Sequence, residues 1–447
     1  LRKNKNSQKK YSKIALNLAY MKKVLIITYY WPPAGGPGVQ RWLKFSKYLP
    51  ENGIQPFVLT VDPQFATYPI IDESLEKEVG NGVVVHKTKT RELFSAYKKA
   101  TNRNQVPYSG FASEDAKPGL KEKAARFVRG NMFFPDPRKG WKKFAVDKAK
   151  ELIQEENISV IITTGPPHST HLIALELKKQ FDIKWLADFR DPWTDIYYYR
   201  DFYPMALTRK LESSLELEVL QKADLITTAS PGFARLLANK LGDNSRLVPI
   251  TNGYDDDDLG GSSEEKEGLD LVITYTGTVT SKYPLQTLVD AIIAMPKATQ
   301  QRIVINVVGK LDEACDVLLN HPDLYASVIK PGYVSHAEVM TYLSTSTHVL
   351  LLIPMLKGNE GIIPAKLFEY IGSGKTIIGI GPRPSDAAEI IEENGFGRFF
   401  TPEQIPELKG WLSIPESERK QVDSSIKEKF SRKYLTTKLA EAIKVNL

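Results

Sequence analysis

The stretch LFEYIGSGKTIIGIG, residues 367–381, contains GSGKT, the ending of a phosphate-binding P-loop. A P-loop runs from a strand, through its glycines, into a helix whose N-terminus holds the phosphates, and its first glycine stands five residues before its last. Glu369 occupies that first position here. The order is also reversed: Leu367, Phe368 and Ile371 have helical spacing ahead of the glycines, and the β-favouring Thr376-Ile377-Ile378 follows them. Gly372 and Gly374 therefore read as a helix C-terminus entering a strand, which excludes the P-loop.

Working outward, the same alternation runs through the chain. Short β-branched runs stand at 24–30, 55–61, 82–87, 159–165, 183–189, 224–230 and 246–252, and again at 271–277, 302–309, 326–334, 348–354 and 376–381. Helical patterns lie between them, including VQRWLKFSKYL, WKKFAVDKAKELIQ, THLIALELKKQF and FARLLANKLG. Strands alternating with helices predict an α/β chain with parallel sheets covered by helices. A length of 447 residues, 42 % hydrophobic, exceeds one ordinary domain.

Two doubly wound, Rossmann-like domains facing across a cleft are the expected architecture: 21–253, then an acidic Gly/Ser linker at 254–269, then 270–417. Helices over 418–447 are expected to pack back on the first domain. Residues 1–20 read as a basic extension upstream of the natural start at Met21, with a disordered tail or a membrane-touching arm as the other readings. In sheets of this kind, ligands bind beyond the C-terminal ends of the strands.

One cysteine, Cys315, excludes a disulfide framework and a cysteine-ligated metal site. A reducing cytoplasm fits that usage, and no run of about 18 apolar residues is present to span a bilayer. The net charge of +7 is local, because residues 1–20 hold six Lys/Arg and no acid, leaving +1 for the remainder. Residues 91–150 carry fifteen Lys/Arg against six Asp/Glu. Within them Leu120, Ala124, Phe127 and Val128 recur at helical spacing among Lys121, Lys123, Arg126 and Arg129, with Met132-Phe133-Phe134 following. Two readings of 120–134 stay open: an amphipathic element for an anionic membrane surface, peripheral on the inner face of the plasma membrane, or a helix packing its apolar side on its own domain. Ordered aromatic and basic repeats are absent, so nucleic acid is not an expected partner.

Candidate site residues fall in the loops after strands. In TYYWPPAGGPGVQRW, Gly35, Gly36 and Gly38 permit close approach of backbone to a ligand at a helix N-terminus. TTGPPHSTH brings His168 and His171, with His168 a hydrogen-bond donor or acid/base. ADFRDPW offers Asp188, Arg190 and Asp191, against a purely structural pairing of Arg190 with a carboxylate. Asp255 to Asp258 resemble a DxD metal clamp, but their place in a linker argues against it. After MLKGNEGII, Pro364 suits the first position of a helix, and amides around Gly361, Ile362 and Ile363 would face an anion. Lys366 and Glu369, one turn apart, read either as a surface ion pair or as a phosphate-binding lysine beside a carboxylate that accepts sugar hydroxyls.

YYWPPAGGPGVQR, TTGPPHSTH, ADFRDPW, ITNGYD, VITYTGTVTSKYPLQTLVDAI, VVGK, PGYVSHAEVMTYL and PAKLFEYIGSGKTII occur in that order over nearly the whole chain after Met21. Together they resemble the GT-B retaining glycosyltransferases of family 4 that build bacterial surface polysaccharides. That resemblance implies a second domain that binds a UDP- or GDP-sugar, contacted by Gly36, Gly277, Lys282, Gly361, Ile362, Ile363, Lys366 and Glu369. It implies a first domain that presents a glycan or lipid-linked acceptor, with Arg41, Asp188, Arg190 and Asp191 on that side. Glu369 matches the second glutamate of the family's E-x7-E signature, which holds the donor ribose. Gly361 stands where the first is expected and Glu360 lies one residue earlier, an E-x8-E spacing. Lys282 and Lys366 match the basic residues on the donor diphosphate, although Thr278 replaces the usual arginine. His168 matches the histidine at the donor sugar, and the catalytic set implied is His168, Lys282, Lys366 and Glu360, with no metal and no cofactor. A sugar-nucleotide epimerase and a non-catalytic nucleotide-sugar-binding protein are the alternatives.

Overall fold

A computed structural model describes residues 21–92, 119–258, 271–356, 358, 360–415 and 423–447. The basic extension 1–20 and the linker residues 259–269 lie outside the described residues. By contacts the chain divides into two compact units, Leu1–Ile250 with Thr436–Leu447, and Thr251–Leu435.

The first unit holds a seven-stranded sheet in the order β3-β2-β1-β4-β5-β6-β7. Its strands are β1 Lys22–Ile27, β2 Ile54–Val61, β3 Val84–Thr88, β4 Val160–Gly165, β5 Lys184–Phe189, β6 Leu225–Thr228 and β7 Leu247–Pro249. Every pairing is parallel. Its helices are α1 Pro37–Tyr48, α2 Leu120–Met132, α3 Lys142–Glu155, α4 His171–Lys178, α5 Ala206–Lys222 and α6 Pro231–Leu241.

The second unit holds a six-stranded sheet in the order β10-β9-β8-β11-β12-β13. Here the strands are β8 Leu271–Thr276, β9 Ile303–Val308, β10 Ser327–Gly332, β11 His348–Leu352, β12 Thr376–Ile380 and β13 Gly397–Phe400, again all parallel. The helices run from α7 Leu285–Ile293 through α8 Lys297–Gln300, α9 Glu313–Leu319, α10 His336–Ser344, α11 Lys366–Ser373, α12 Asp386–Glu393 and α13 Ile405–Leu412 to α14 Ser424–Glu428. The last helix, α15 Arg432–Asn446, contributes its residues from Thr436 onward to the first unit.

Central strands are apolar without alternation because both of their faces are covered. Leu25 and Ile27 of β1 share a core with Trp141, just before α3, and with Ala145, Ala149 and Leu152 along it, while Val24 and Ile26 are equally buried on the opposite face. Each such side chain stabilises the fold by about 1.5–3 kcal/mol. The edge strand β10 is largely exposed and carries Pro331, whose missing N–H an edge tolerates.

Two parallel sheets with flanking helices agree with the α/β expectation, and the P-loop stretch is indeed helix α11 followed by strand β12. One strand escaped the sequence reading: β13 is only four residues, GRFF, of which Phe399 and Phe400 alone are buried. Tyr254, at the expected start of the linker, is buried and pairs with the α14–α15 turn, accepting from Arg432 N at 2.7 Å and donating to Phe430 O at 3.1 Å.

In each sheet the strand order reverses once, between β1 and β4 in the first and between β8 and β11 in the second. At such a point neighbouring crossovers leave in opposite directions, opening a crevice at the C-terminal strand ends. The loops after β1 and β4 carry Gly36 and His168, and those after β8 and β11 carry Gly277 and Gly361 to Ile363.

Candidate active site

At the second unit's switch point, β8 ends at Thr276 and Gly277 follows with φ +105°, a conformation that L side chains rarely adopt. Lys366, the first residue of α11, turns its Nζ onto the Thr276 carbonyl at 2.6 Å and lies 4.1 Å from the Tyr275 ring centroid. A Cβ on Gly277 would stand 3.1 Å from that Nζ. Tyr370 fixes the helix to the strand end, its hydroxyl accepting from Thr276 N at 3.0 Å. The ammonium thus sits beside a glycine backbone rather than a side chain at position 277.

Lys366 and Glu369 form no ion pair, so the surface-pair reading fails. Glu369 is half-buried and makes no hydrogen bond or ion pair with the described residues. Burial pushes its carboxyl above the usual range, opposed by His336 and Lys366 and aided by Asp258. Burial likewise pulls Lys366 down to about 8, with Glu369 acting the other way. Burial thus works against the charged form of both groups, a cost that an oppositely polar ligand would relieve.

The N–H groups of Gly361, Ile362 and Ile363 find no acceptor among the described residues. Glu360 is exposed, and its carbonyl accepts from Asp386 N at 2.9 Å, which anchors the loop. Ile363 packs its side chain on the core beneath, so its backbone alone is offered to a ligand. Lys282 is exposed on the loop that follows Gly277 and has no partner among the described residues.

The first unit's loops are more tightly bound. Arg41, expected on the acceptor side, is instead buried against Asp188: its Nε and Nη2 donate to the carboxylate at 3.1 and 2.9 Å. Asp188, 0 % exposed, also accepts from Trp42 Nε1, Thr164 Oγ1 and Thr227 Oγ1 at 2.7–2.9 Å. Burial alone would raise this carboxyl, but Arg41 and the hydrogen bonds hold it below the usual range. This pair is framework, with its carboxylate oxygens already bonded. Arg190, by contrast, does not pair with a carboxylate. Its guanidinium donates to the carbonyls of Gly38, Pro166 and Gly165, tying the loop after β1 to the loop after β4. Asp191 has no partner among the described residues, and burial raises its carboxyl against the pull of Arg190. Gly36 caps α1 with φ +89°.

His168 is buried and stacks on Trp193 at 5.0 Å with planes 4° apart. Its Nδ1 has no hydrogen-bond partner, and neither has Nε2 of His171, whose Nδ1 pairs with Thr163 Oγ1 at 2.8 Å. Both orphan nitrogens come within 2.7 Å of where a Cβ on Gly165 would be. Burial drives His168 well below the usual imidazole range, with His171, Arg190 and Lys240 adding to it, so the ring is neutral. Neither Trp193 nor Asp136 was singled out from the sequence. Asp136 accepts from Ser169 N and Oγ at 2.7 and 2.9 Å and so pins the His168 turn, and its setting in FFPDPR was the signal available. Among the described residues no three His, Cys, Asp or Glu side chains cluster so as to hold a metal ion.

Residues 99–258 match the family model described as Glycosyltransferase Family 4. No curated protein matches the sequence. Solved structures of similar fold include a glycosyltransferase from Rickettsia africae ESF-5, at TM-score 0.58 and 14 % identity over 95 % of this chain and 98 % of that one. The lipopolysaccharide outer core galactosyltransferase WaaB is similar at TM-score 0.58 and 13 % identity, over 96 % and 100 %. Anabaena Alr3699/HepE, solved with UDP and glucose, gives TM-score 0.56 and 11 % identity, over 95 % and 100 %. At such identities these likenesses speak for the fold. With its two switch-point sheets the chain has the GT-B fold of these structures, and its residues 99–258 are similar to glycosyltransferase family 4.

Proposed function

We propose that this protein is a retaining glycosyltransferase that moves a sugar from a UDP- or GDP-sugar to a lipid-linked or growing polysaccharide acceptor. The observation that carries the reading is Lys366, which leaves Glu369 for the Thr276 carbonyl and so keeps both a cation and an unbonded carboxylate at the second unit's switch point. A donor nucleotide needs both: Lys366 for its diphosphate and Glu369 to accept hydrogen bonds from vicinal ribose hydroxyls. Unpaired amides at Gly361, Ile362 and Ile363 add an anion-binding edge. That Alr3699/HepE was solved with UDP and with UDP-glucose favours UDP among the bases.

Transfer breaks the bond between the anomeric carbon and the diphosphate, and the electron pair leaves on the diphosphate oxygen. Lys366, Lys282 and the loop amides meet the charge that grows there, and this arrangement calls for neither a metal nor a cofactor. Removing one such donor costs about 10²–10³ in rate, so Lys366→Ala should lower turnover by that factor. Retention requires the acceptor hydroxyl to add on the face the diphosphate leaves. A role for His168 at the sugar, and for Glu360, rests on the family resemblance.

The test is thermal unfolding with UDP, GDP, ADP and their sugar conjugates, followed by release of nucleoside diphosphate with and without added acceptor. Stabilisation by one base, lost in Glu369→Ala, with acceptor-dependent turnover supports the reading. Binding without turnover turns it into a nucleotide-sugar-binding protein, and product without acceptor turns it into an epimerase. Absence of any nucleotide effect leaves the fold without this function.

A further inference from the structure

A hydrogen-bonded chain runs through the first unit from Trp185 on β5 toward the turn that carries His168, and its first member sets its direction. The Trp185 indole can only donate, and its Nε1 donates to Thr163 Oγ1 on β4 at 2.7 Å. Thr163 Oγ1 also lies 2.8 Å from His171 Nδ1, where either atom could hold the proton. Thr163 is 0 % exposed, and its hydroxyl has no further partner among the described residues. If His171 Nδ1 carried the proton, the Thr163 hydroxyl hydrogen would be buried without an acceptor, at a cost of about 1–3 kcal/mol. Thr163 therefore donates to His171 Nδ1, and a neutral His171 keeps its proton on Nε2.

That proton is turned toward His168. His171 Nε2 and His168 Nδ1 are each 2.7 Å from where a Cβ on Gly165 would be, and each is buried with no hydrogen-bond partner. Gly165 ends β4, and its missing side chain leaves the two nitrogens a common corner. Stacking holds the rings in place, His171 on Phe189 with centroids 4.6 Å apart and His168 on Trp193 at 5.0 Å. Burial pulls both imidazoles below their usual range, His171 to about 3 with Asp188 opposing and Arg190 adding, so both are neutral. A neutral imidazole has one donor nitrogen and one acceptor. Opposite the His171 donor, His168 Nδ1 is the acceptor, and its proton stands on Nε2. That nitrogen makes no bond among the described residues and, unlike Nδ1, is not enclosed.

We propose that Trp185, Thr163 and His171 are positioning residues that fix His168 in the tautomer with its proton on Nε2. A water at the Gly165 corner accepts from His171 Nε2 and donates to His168 Nδ1. His168 then donates a hydrogen bond to a ligand oxygen and takes no proton from it. Of the two roles the sequence left open to His168, donor and acid/base, this selects the first. The ligand oxygen is a sugar hydroxyl on the transferase reading, on which the tautomer itself does not depend.

The test is ring nitrogen-15 NMR of the full chain labelled in its six histidines, with His168→Gln and His171→Gln to assign the two rings. Between about pH 6 and 8, each ring is expected to show a bare Nδ1 and a protonated Nε2, with no titration. Thr163→Val removes the hydroxyl at nearly constant shape and should mix the tautomers of both rings, while Thr163→Ser keeps the parent pattern. Should Thr163→Val fail to fold, Trp185→Phe removes the donor that sets the direction and should give the same mixing. In acceptor-dependent release of nucleoside diphosphate, Thr163→Val should lower kcat/KM about tenfold and Thr163→Ser should restore it. A proton on His168 Nδ1 in the parent chain overturns the proposal. So do tautomers that neither Thr163→Val nor Trp185→Phe changes. A parent chain with the stated tautomers and no turnover supports the proposal and sinks the transferase reading instead.

Discussion

Asp188, near the C-terminal end of β5, and Glu369, in the first turn of α11, are both carboxylates beside a basic residue, and the fold treats them in opposite ways. Asp188 accepts from Arg41, Trp42, Thr164 and Thr227 in a fully buried setting, and Arg41 holds its carboxyl below the usual range. Glu369 is half-buried, bonds nothing among the described residues, and has its carboxyl raised by burial. A charge satisfied on every side is framework, while one kept partly desolvated and unpaired is reserved for something that arrives later. The neighbouring bases follow suit, for Arg41 is locked bidentate whereas Lys366 rests on a single carbonyl.

Breaking the framework side should have the largest effect. Asp188→Ala leaves the Arg41 charge buried without its partner, and such losses cost about 3–5 kcal/mol. Urea unfolding of this variant should show that loss whether or not nucleotide is present. Glu369→Ala should do the reverse, leaving unliganded stability unchanged or raised by at most about 1 kcal/mol. The same variant should abolish the roughly 2.7 kcal/mol that a nucleotide at 100 times its dissociation constant confers on the parent chain. Equal destabilisation by the two variants in the absence of ligand would erase the distinction between the sites.

A smaller effect sharpens the comparison through the backbone. Gly277→Ala imposes φ +105° on a residue with a side chain, at about 1–3 kcal/mol, and sets a Cβ 3.1 Å from Lys366 Nζ. Nucleotide affinity should therefore fall together with stability, measured by titration calorimetry and by unfolding. The smallest effect concerns pH. Lys366 has its pKa lowered to about 8, and a bound diphosphate would keep the lysine protonated. Below about 8 the free protein already carries the proton and affinity is flat. Above it, binding must take up a proton, so affinity should fall toward tenfold per pH unit, or about 1.4 kcal/mol. Calorimetry between pH 7 and 9 checks the slope, and Lys366→Arg should remove it because arginine stays charged.

Much of the fold was legible because buried parallel strands are runs of β-branched and aliphatic residues, and such runs stand out without any partner being known. The run HVLLL became β11 and IVINVV became β9 for that reason. GRFF was not legible, since a four-residue edge strand with two outward positions has no pattern to detect. Among site residues, Lys366 and Glu369 were named from loop position and helical spacing, and Gly277 from the family resemblance. Trp193 and Asp136 were not, because stacking on His168 and pinning its turn depend on contacts between segments 25 and 33 residues apart.

What the sequence determined by itself is periodicity: which segments are strands, which are helices, and which loops follow strand ends. It also fixed the reversed order at GSGKT that ruled out a P-loop. Only the tertiary structure decided how each charge is used. ADFRDPW does not say that Asp188 turns to Arg41 while Arg190 turns to carbonyls, nor does LKEKAARFVRGNM say that its apolar stripe faces solvent. Those outcomes depend on which groups distant in sequence arrive as partners. The energy of a charge or an apolar face is set by its surroundings, which local sequence does not contain.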